Sequence, residues 1–232
     1  GTWLGKVFRL KGEDLRSMSI AGMASGFTAL FGAPLGGSLF SLEILHHKHA
    51  VEYYKAIIPA LVASCFCYLV FAIIVQLGLG ATWNVDSYEY SGVFDFGYAV
   101  LFAMAATAIG WGFIFCIKFF KNLFNKKPLP IYVKTLIGGI LLGLISYYFP
   151  ITRYFGHEEI NELLAEDFAL NALIAILIFK VLAISITVTS GWRGGFIIPL
   201  FFVGATLGLI IHYIFPESNL TLTLVSCMAG NN

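Results

Sequence analysis

Long runs without Asp, Glu, Lys or Arg dominate the hydrophobic pattern of this 232-residue chain. Because a helix needs about 20 consecutive apolar residues to cross a bilayer, these runs are candidate membrane spans. They cover residues 17–42, 56–78, 96–117, 135–150, 170–190 (interrupted only by Lys180) and 194–216. A last apolar run, residues 220–232, predicts the beginning of a further helix. We therefore expect an all-α, polytopic membrane fold.

The first of these runs contains a break at Gly32-Ala33-Pro34. Glycine loosens a helix and proline removes a backbone donor, so we expect two shorter helices here instead of one span. Small residues also recur four positions apart, a spacing that allows close helix packing. These pairs are Gly22 and Gly26, Gly32 and Gly36, Gly139 and Gly143, and Gly204 and Gly208. Together, the breaks and pairs favour a channel or transporter with tilted and broken helices over plain membrane anchors.

The composition supports a membrane location and narrows the partners. Hydrophobic residues make up 59% of the chain and charged residues 12%, which is far from ordinary soluble usage. The net charge of +1 provides no basic surface for nucleic acid, so lipid is the expected surrounding and nucleic acid is not an expected partner. The four cysteines lie in apolar runs and are interpreted as small hydrophobic side chains, and we expect no metal and no cofactor.

The segments between the apolar runs differ in charge, which predicts an orientation. Residues 118–134 contain five lysines and no acid, so this segment is predicted to be cytoplasmic. The acid-rich segments 80–95 and 157–167 are predicted to face outward. The chain begins without Met or a charged leader, so we expect no signal peptide and interpret residues 1–232 as a single partial transmembrane domain of a longer plasma-membrane protein.

The run from Thr189 to Pro199 places Gly194-Gly195 directly before an apolar segment. The first N–H groups of a helix have no internal partner and lie at the positive end of the helix dipole. A helix start at membrane depth is therefore a candidate anion site made of backbone atoms. The alternative is that Gly194-Gly195 only turns the chain and that Pro199 is an ordinary proline of the first helical turn.

Several blocks of the sequence resemble the chloride-channel (ClC) family in the same order. Residues 1–13, Ala24-Ser25-Gly26-Phe27 and residues 33–37 resemble the region that follows the family's GREGP motif. Residues 194–199 resemble its GxFxP motif, and Gly204-Ala205 and Gly208 follow as in the family. The resemblance covers essentially the whole chain, although the GSGIP motif, the GREGP motif and the helix with the pore tyrosine are not among these residues.

The resemblance implies a central anion site formed by the backbone N–H groups of Phe196 and Ile197. Gly195 would permit the close approach of the anion, and the supporting residues would be Gly194, Ile198 and Pro199. The family's phenylalanine position is occupied by Ile197, with Phe196 one place earlier, which affects the lining and selectivity of the pore. The implied function is transport of chloride or a similar monovalent anion, as a channel or an anion/proton antiporter, by a homodimer; the alternative is a fluoride-selective ClC-type transporter.

A possible proton or water path is predicted at the end of the second half-helix. Glu43 matches the first of two adjacent glutamates that proton-coupled members carry, whereas the second position, the proton relay, is Ile44. Because isoleucine carries no proton, an internal route would run from Glu43 through water or through a nearby histidine. The histidines are His46, His47 and His49. We interpret these histidines, together with Lys48, as a basic helix end at the cytoplasmic surface and not as a metal-binding cluster.

Two further features leave alternatives open. Lys180, alone in an apolar run, is expected to snorkel, to be paired, or to face an aqueous vestibule. Trp192 and Arg193 stand beside the candidate site and would tune its potential, unless Arg193 only faces the surface. We do not expect an enzyme, since the nearest nucleophile and base are Ser185 or Ser190 with His212, and no spacing brings them together.

Overall fold

The computed structural model describes residues 1–44, 50–75, 83, 85, 87–88, 92–126, 130–192 and 194–231, and of residues 50–54 only the backbone. Within these residues there are ten α-helices and one short 3-10 helix, and no strand. The predicted all-α fold is therefore confirmed. The chain forms two compact units, Gly1–Thr82 and Trp83–Asn232, which are described separately. The expectation of a single membrane domain stays a prediction.

The first unit contains four helices, and the break predicted inside its first apolar run is confirmed. The helices are α1 (Thr2–Val7), α2 (Gly12–Phe31), α3 (Pro34–Ile44) and α4 (Ala50–Val75). Gly32 ends α2 in the left-handed conformation, with φ of 64°, and its N–H donates to the Thr28 carbonyl at 2.8 Å. Pro34 then begins α3, where its missing N–H costs nothing because the first turn has no internal acceptor.

Small side chains let α2 approach α3 and α4 closely in this unit. The shared core contains Ile20, Ala24, Leu42, Ala56 and Ala60. At Gly37, an added Cβ would lie 2.8 Å from the backbone nitrogen of Thr28, so α3 touches the backbone of α2 there. Close backbone approach of this kind is how membrane helices gain packing contacts without a hydrophobic driving force between them.

Ser64 offers a stability test in the first unit. It is fully buried on α4 and its hydroxyl has no hydrogen-bond partner among the described residues, whereas the equally buried Ser41 donates to the Gly37 carbonyl at 2.8 Å. We expect Ser64→Ala to be neutral or to stabilise by about 0.5–1 kcal/mol, because it removes an unsatisfied polar group. Ser41→Ala, which loses a hydrogen bond, should destabilise by about 1 kcal/mol. Thermal unfolding of the purified protein in detergent compares the two, and equal losses would contradict the prediction.

The second unit contains the remaining helices. They are α5 (Val93–Asn125), α6 (Ile131–Tyr148), the 3-10 helix (Pro150–Thr152), α7 (His157–Ala165), α8 (Leu170–Thr189), α9 (Ile197–Ile214) and α10 (Leu220–Gly230). Those predicted from apolar runs have boundaries close to the predicted ones except α5, whereas α7 was not predicted and lies in the acid-rich segment 157–167. Helix α5 continues past the predicted end at residue 117 through Lys118 and Lys121. Charged residues end an apolar run but not a helix, because lysine is a good helix former.

Five of these helices are long and apolar enough to cross a membrane: α4 from Lys55, α5, α6, α8 and α9. These helices differ in burial. Half of the most apolar stretch of α8 and of α9 is buried within the protein, whereas only 6% to 17% of the corresponding stretch is buried in α4, α5 and α6. The exposed apolar surfaces of α4, α5 and α6 suit lipid contact. The chain is therefore a polytopic integral membrane protein with α8 and α9 at the centre of its second unit.

Helix α9 is held by close packing against α8, α7 and α10. The core around it contains Leu173, Ile176, Phe202, Ala205 and Leu224. On the α10 side, a Cβ at Gly204 would lie 2.7 Å from the Met228 Cα, and one at Gly208 would lie 2.9 Å from the Leu224 Cα. Backbone contact at two successive turns fixes the position of α9, and with it the position of its first turn.

Candidate functional site

The first turn of α9 leaves backbone donors without partners inside the helix. Phe196 is the N-cap residue, Ile197 is the first helical residue, and no described side chain caps this end. The Leu200 N–H donates to the Phe196 carbonyl at 3.0 Å, which is the beginning of the helical ladder. The N–H groups of Ile197 and Ile198 precede it and therefore have no acceptor in the helix, while Pro199 has no N–H to satisfy. The helix start predicted after Gly194-Gly195 is confirmed, and its role in binding stays a prediction.

Burial differs sharply across this turn. Ile198, Pro199 and Leu200 are buried, whereas Gly194 and Gly195 are exposed and Phe196 is about half exposed, with its ring centroid 6.5 Å from that of Phe113. The buried side chains hold the helix in place while the backbone before it stays accessible. Such a turn presents a partial positive charge without any charged side chain.

Neither backbone conformation nor packing explains the two glycines before α9. Gly194 and Gly195 do not have a positive φ, and a Cβ added to either would meet no described atom within 4 Å. By contrast, Gly191 has a φ of 96°, and its added Cβ would lie 2.5 Å from the Ile131 side chain. The space beside Gly194 and Gly195 is therefore open, as the close approach of a ligand to the backbone would require.

The segment between α8 and α9 is tied to α6. The Thr135 hydroxyl donates to the Ser190 carbonyl at 3.1 Å, and the Trp192 indole N–H donates to the Thr135 carbonyl at 3.2 Å. These bonds orient the chain as it enters Gly194-Gly195. Trp192 thus stands beside the candidate site as expected, while Arg193 lies outside the described residues.

A cavity of about 460 Å³ adjoins the start of α9. It lies between α6 and α8, and its far wall is the turn that follows the 3-10 helix. Among the lining residues are Ser146, Arg153, Lys180, Thr187, Gly194 and Gly195. The lining residues in the described part of the chain include no Asp or Glu, so the charged side chains at this cavity are cationic.

Lys180 is one of the cavity residues and is only 1% exposed. Its Nζ donates to the Tyr154 carbonyl at 2.7 Å and to the Thr152 carbonyl at 3.4 Å, and it lies 4.5 Å from the Phe202 ring centroid. Snorkelling is therefore wrong for this lysine, which is paired with carbonyl groups instead. It is also among the residues that line the cavity, while the alternative of an aqueous vestibule stays a prediction.

The candidate proton path lies in the first unit. Glu43 and Ile44 are the last two residues of α3, and both side chains are exposed. His46, His47 and His49 lie outside the described residues. The roles of Glu43 and Ile44 therefore stay predictions.

The structure gives other partners to the residues of the enzymatic alternative. Ser185 donates to the Val181 carbonyl at 2.8 Å, and Ser190 donates to the Thr187 carbonyl at 3.3 Å. The His212 Nδ1 lies 2.8 Å from the Ser218 carbonyl oxygen. The described hydrogen bonds thus do not join either serine to His212.

Sequence reasoning missed Arg153 and Thr187 as cavity residues. A signal existed for Thr187, because it follows Lys180 by seven positions and so lies on the same face of α8, together with Ala183 and Ile184. Arg153 had no comparable signal. It reaches the cavity only because the chain turns after Pro150. Such a turn has no hydrophobic periodicity in the sequence from which the position of Arg153 could be predicted.

Apolar spans, an apolar run broken into two helices and an uncapped helix start beside a cationic cavity are typical of channels and transporters. A more specific assignment comes from comparison with known proteins. The family model described as "Voltage gated chloride channel" matches residues 1–231, and the chain belongs to this family. The resemblance read from the GxFxP-like run is thereby confirmed.

The chain is also similar in sequence to individual curated proteins. The "Uncharacterized protein MJ0305" of Methanocaldococcus jannaschii is 34% identical over 207 residues, which cover 89% of this chain and 51% of the relative. The "Chloride/fluoride channel protein" of Pseudomonas syringae pv. tomato is 28% identical over 225 residues, covering 88% and 45%. YfeO of Escherichia coli is 25% identical over 211 residues, covering 90% and 50%. The chain thus spans about half the length of the curated relatives that it matches.

Proposed function

We propose that the protein moves chloride or a similar monovalent anion across the membrane and holds it at the backbone N–H groups of Phe196 and Ile197. The observation that carries this proposal is the start of α9, where the Ile197 N–H has no acceptor in the helix and the two glycines before Phe196 have open space beside them. Membership of the voltage-gated chloride channel family supports the same class of cargo. Backbone amides suit transport because they attract an anion but bind it less strongly than a full positive charge would, so that the anion can be released.

A fluoride-selective transporter is the second candidate. It is favoured by similarity to the Pseudomonas syringae protein, whose name includes both chloride and fluoride. Ile197 bears on the choice, since it stands where the family motif has phenylalanine and it alters the lining next to the backbone donors. Fluoride is smaller and more strongly hydrated than chloride. The residues that line the anion site therefore influence selectivity, because they must replace the water molecules that each anion loses on binding.

Channel and antiporter activity differ in what is expected of Glu43 and Ile44. An antiporter needs an internal proton route, and Ile44 carries no proton at the relay position of the family's proton-coupled members. We infer that coupling, where present, passes from Glu43 through water, and the exposure of Glu43 at the end of α3 is compatible with that route. We further propose a homodimer in the plasma membrane, as the family resemblance implies.

A flux measurement with the full-length protein in liposomes tests the proposal. An ion-selective electrode records anion efflux while a pH electrode records proton movement, with chloride or fluoride as the loaded anion and protein-free liposomes as the control. We expect anion efflux above the control. Anion efflux with stoichiometric proton movement means an antiporter whose proton route bypasses Ile44. Anion efflux without proton movement means a channel. Faster efflux of fluoride than of chloride selects the second candidate. No efflux of either anion would overturn the proposed function.

A further inference from the structure

We propose that one face of α5 binds an anionic phospholipid, with the acyl chains along Trp111 and Phe115 and the phosphate beside Lys118 and Lys126. The site involves neither the start of α9 nor the transported anion, so it goes beyond the proposed function. Its occupant is a lipid whose headgroup carries a net negative charge, as opposed to a zwitterionic one.

Helix α5 is longer than the hydrocarbon core of a bilayer. Its 33 residues extend over about 50 Å, whereas the core is about 30 Å thick. The uncharged part of the helix, residues 96–117, is about 33 Å long and fills the core by itself. Residues 118–125 therefore extend into the headgroup region, on the side that is predicted to be cytoplasmic.

Five exposed residues form a continuous stripe along this helix. They follow one another at intervals of four, three, four and four positions, which keeps them within about 80° of each other around the helix axis. The stripe is about 22 Å long, which is about the depth of one leaflet with its headgroups. The members of this α5 stripe are Trp111, Phe115, Lys118, Asn122 and Lys126.

The α5 stripe changes from aromatic to cationic where the headgroups would begin. Trp111 and Phe115 are 75% and 71% exposed, and apolar rings with that exposure on a membrane span suit contact with acyl chains. Lys118, Asn122 and Lys126 follow over the next turns, and their side chains carry N–H donors for phosphate oxygens. A phospholipid has its apolar and polar groups in the same order, so one lipid is complementary to the stripe along its whole length.

The two lysines of the α5 stripe have no competing partner among the described residues. No described hydrogen bond or ion pair engages the side chain of Lys118 or Lys126, whereas Lys134 of α6 donates to the Asn125 Oδ1 at 3.1 Å. Residues 96–157 contain no Asp or Glu, so this part of the chain supplies no negative charge. Anionic lipids of the cytoplasmic leaflet attract such basic segments next to a membrane span.

A general role in membrane orientation makes a different prediction for these lysines. Orientation depends on the number of lysines near the end of a span and not on the helix face that they occupy. A lipid site depends on the face. Lys121 separates the two cases, because it is exposed on the same helix but points about 100° away from the middle of the α5 stripe.

Native mass spectrometry of the full-length protein in detergent measures the dissociation constants of dioleoylphosphatidylglycerol and dioleoylphosphatidylcholine. These lipids have the same acyl chains and differ in headgroup charge. We expect the wild type to bind phosphatidylglycerol at least about tenfold more tightly. Lys118→Gln and Lys126→Gln should each weaken phosphatidylglycerol binding by about fivefold and leave phosphatidylcholine binding unchanged. Lys121→Gln is the matched control and should leave both constants unchanged.

A charge-relocating variant sharpens the test. Lys118→Gln combined with Leu123→Lys keeps the net charge of α5 but moves one lysine to an exposed position about 100° from the middle of the α5 stripe on its other side. It should bind phosphatidylglycerol as weakly as Lys118→Gln alone. Recovery of wild-type affinity in this variant would overturn the site, because affinity would then follow the number of charges.

Two further results would also overturn the lipid site. One is equal affinity of the wild type for the two lipids, and the other is an equal loss of phosphatidylglycerol binding in Lys118→Gln and Lys121→Gln. Competition by millimolar inorganic phosphate as effective as that by phosphatidylglycerol would show that the acyl chains contribute nothing, which contradicts the role of Trp111 and Phe115. The substituted positions are all exposed, so we expect each variant to fold, and thermal unfolding in detergent checks this.

Discussion

Valine in place of Gly195 is expected to abolish anion binding and transport while the protein remains folded. The backbone at Gly195 does not have a positive φ and an added Cβ would meet no described atom within 4 Å, so valine is tolerated by conformation and by packing. Its methyl groups would occupy the space through which an anion reaches the N–H groups of Phe196 and Ile197. Losing those charge-assisted hydrogen bonds costs about 2–3 kcal/mol each, and losing two removes measurable binding.

Calorimetry with the anion, followed by flux in liposomes, checks this prediction. Gly97→Val is the matched control, because Gly97 also has open space around its Cβ but lies on α5, away from the cavity lining. The control should bind and transport like the wild type. Unaltered anion affinity in Gly195→Val would rule out the backbone site at the start of α9.

Gly204→Ala should have the largest effect on stability. The added Cβ would lie 2.7 Å from the Met228 Cα and 2.8 Å from the Cys227 carbonyl oxygen, so α9 and α10 must move apart. Overpacking against a backbone that cannot yield costs about 1–3 kcal/mol, and this contact is at the upper end of that range. Gly143→Ala is the control: its Cβ meets no described atom within 4 Å, and alanine should stabilise the helix by up to about 1 kcal/mol.

The readout for this pair is thermal unfolding in detergent, followed through the reactivity of a thiol. Cys227 is fully buried beside the Gly204 contact, whereas Cys65, Cys67 and Cys116 are at least partly exposed. In a protein with those three replaced by alanine, modification of Cys227 by a fluorescent maleimide reports separation of α9 from α10. A lower transition temperature for Gly204→Ala together with an unchanged or higher one for Gly143→Ala is the expected result. Equal transition temperatures would show that α9 and α10 do not approach as closely as their backbone contact requires.

The helices and their breaks could be predicted because they depend on local chemistry. The apolar runs became α4, α5, α6, α8 and α9, since each run is long enough to satisfy its backbone inside a bilayer. Gly32 and Pro34 ended one helix and began the next, as their own backbone preferences dictate. The α9 start was predictable for the same reason, and family resemblance added which N–H groups to consider.

Which small residues make close contacts could not be predicted from spacing. The four glycine pairs look alike in sequence, yet Gly204 and Gly208 touch the backbone of α10 while Gly143 meets no described atom. The tight contact at Gly37 fell outside the pattern altogether. Spacing specifies a face of a helix, but only the neighbouring helix decides whether that face is approached.

The sequence by itself thus determined the membrane class, the long apolar helices and the place where α9 starts, because each follows from residues adjacent in the chain. Only the tertiary structure decided the surroundings of Lys180. Its carbonyl partners at Thr152 and Tyr154 precede it by 28 and 26 positions, and the cavity it shares with Gly194 and Gly195 exists only once α6 and α8 pack. An isolated lysine in an apolar run has the same local sequence whether it snorkels, pairs or lines a cavity, and folding selects among these because burying a charge requires specific partners.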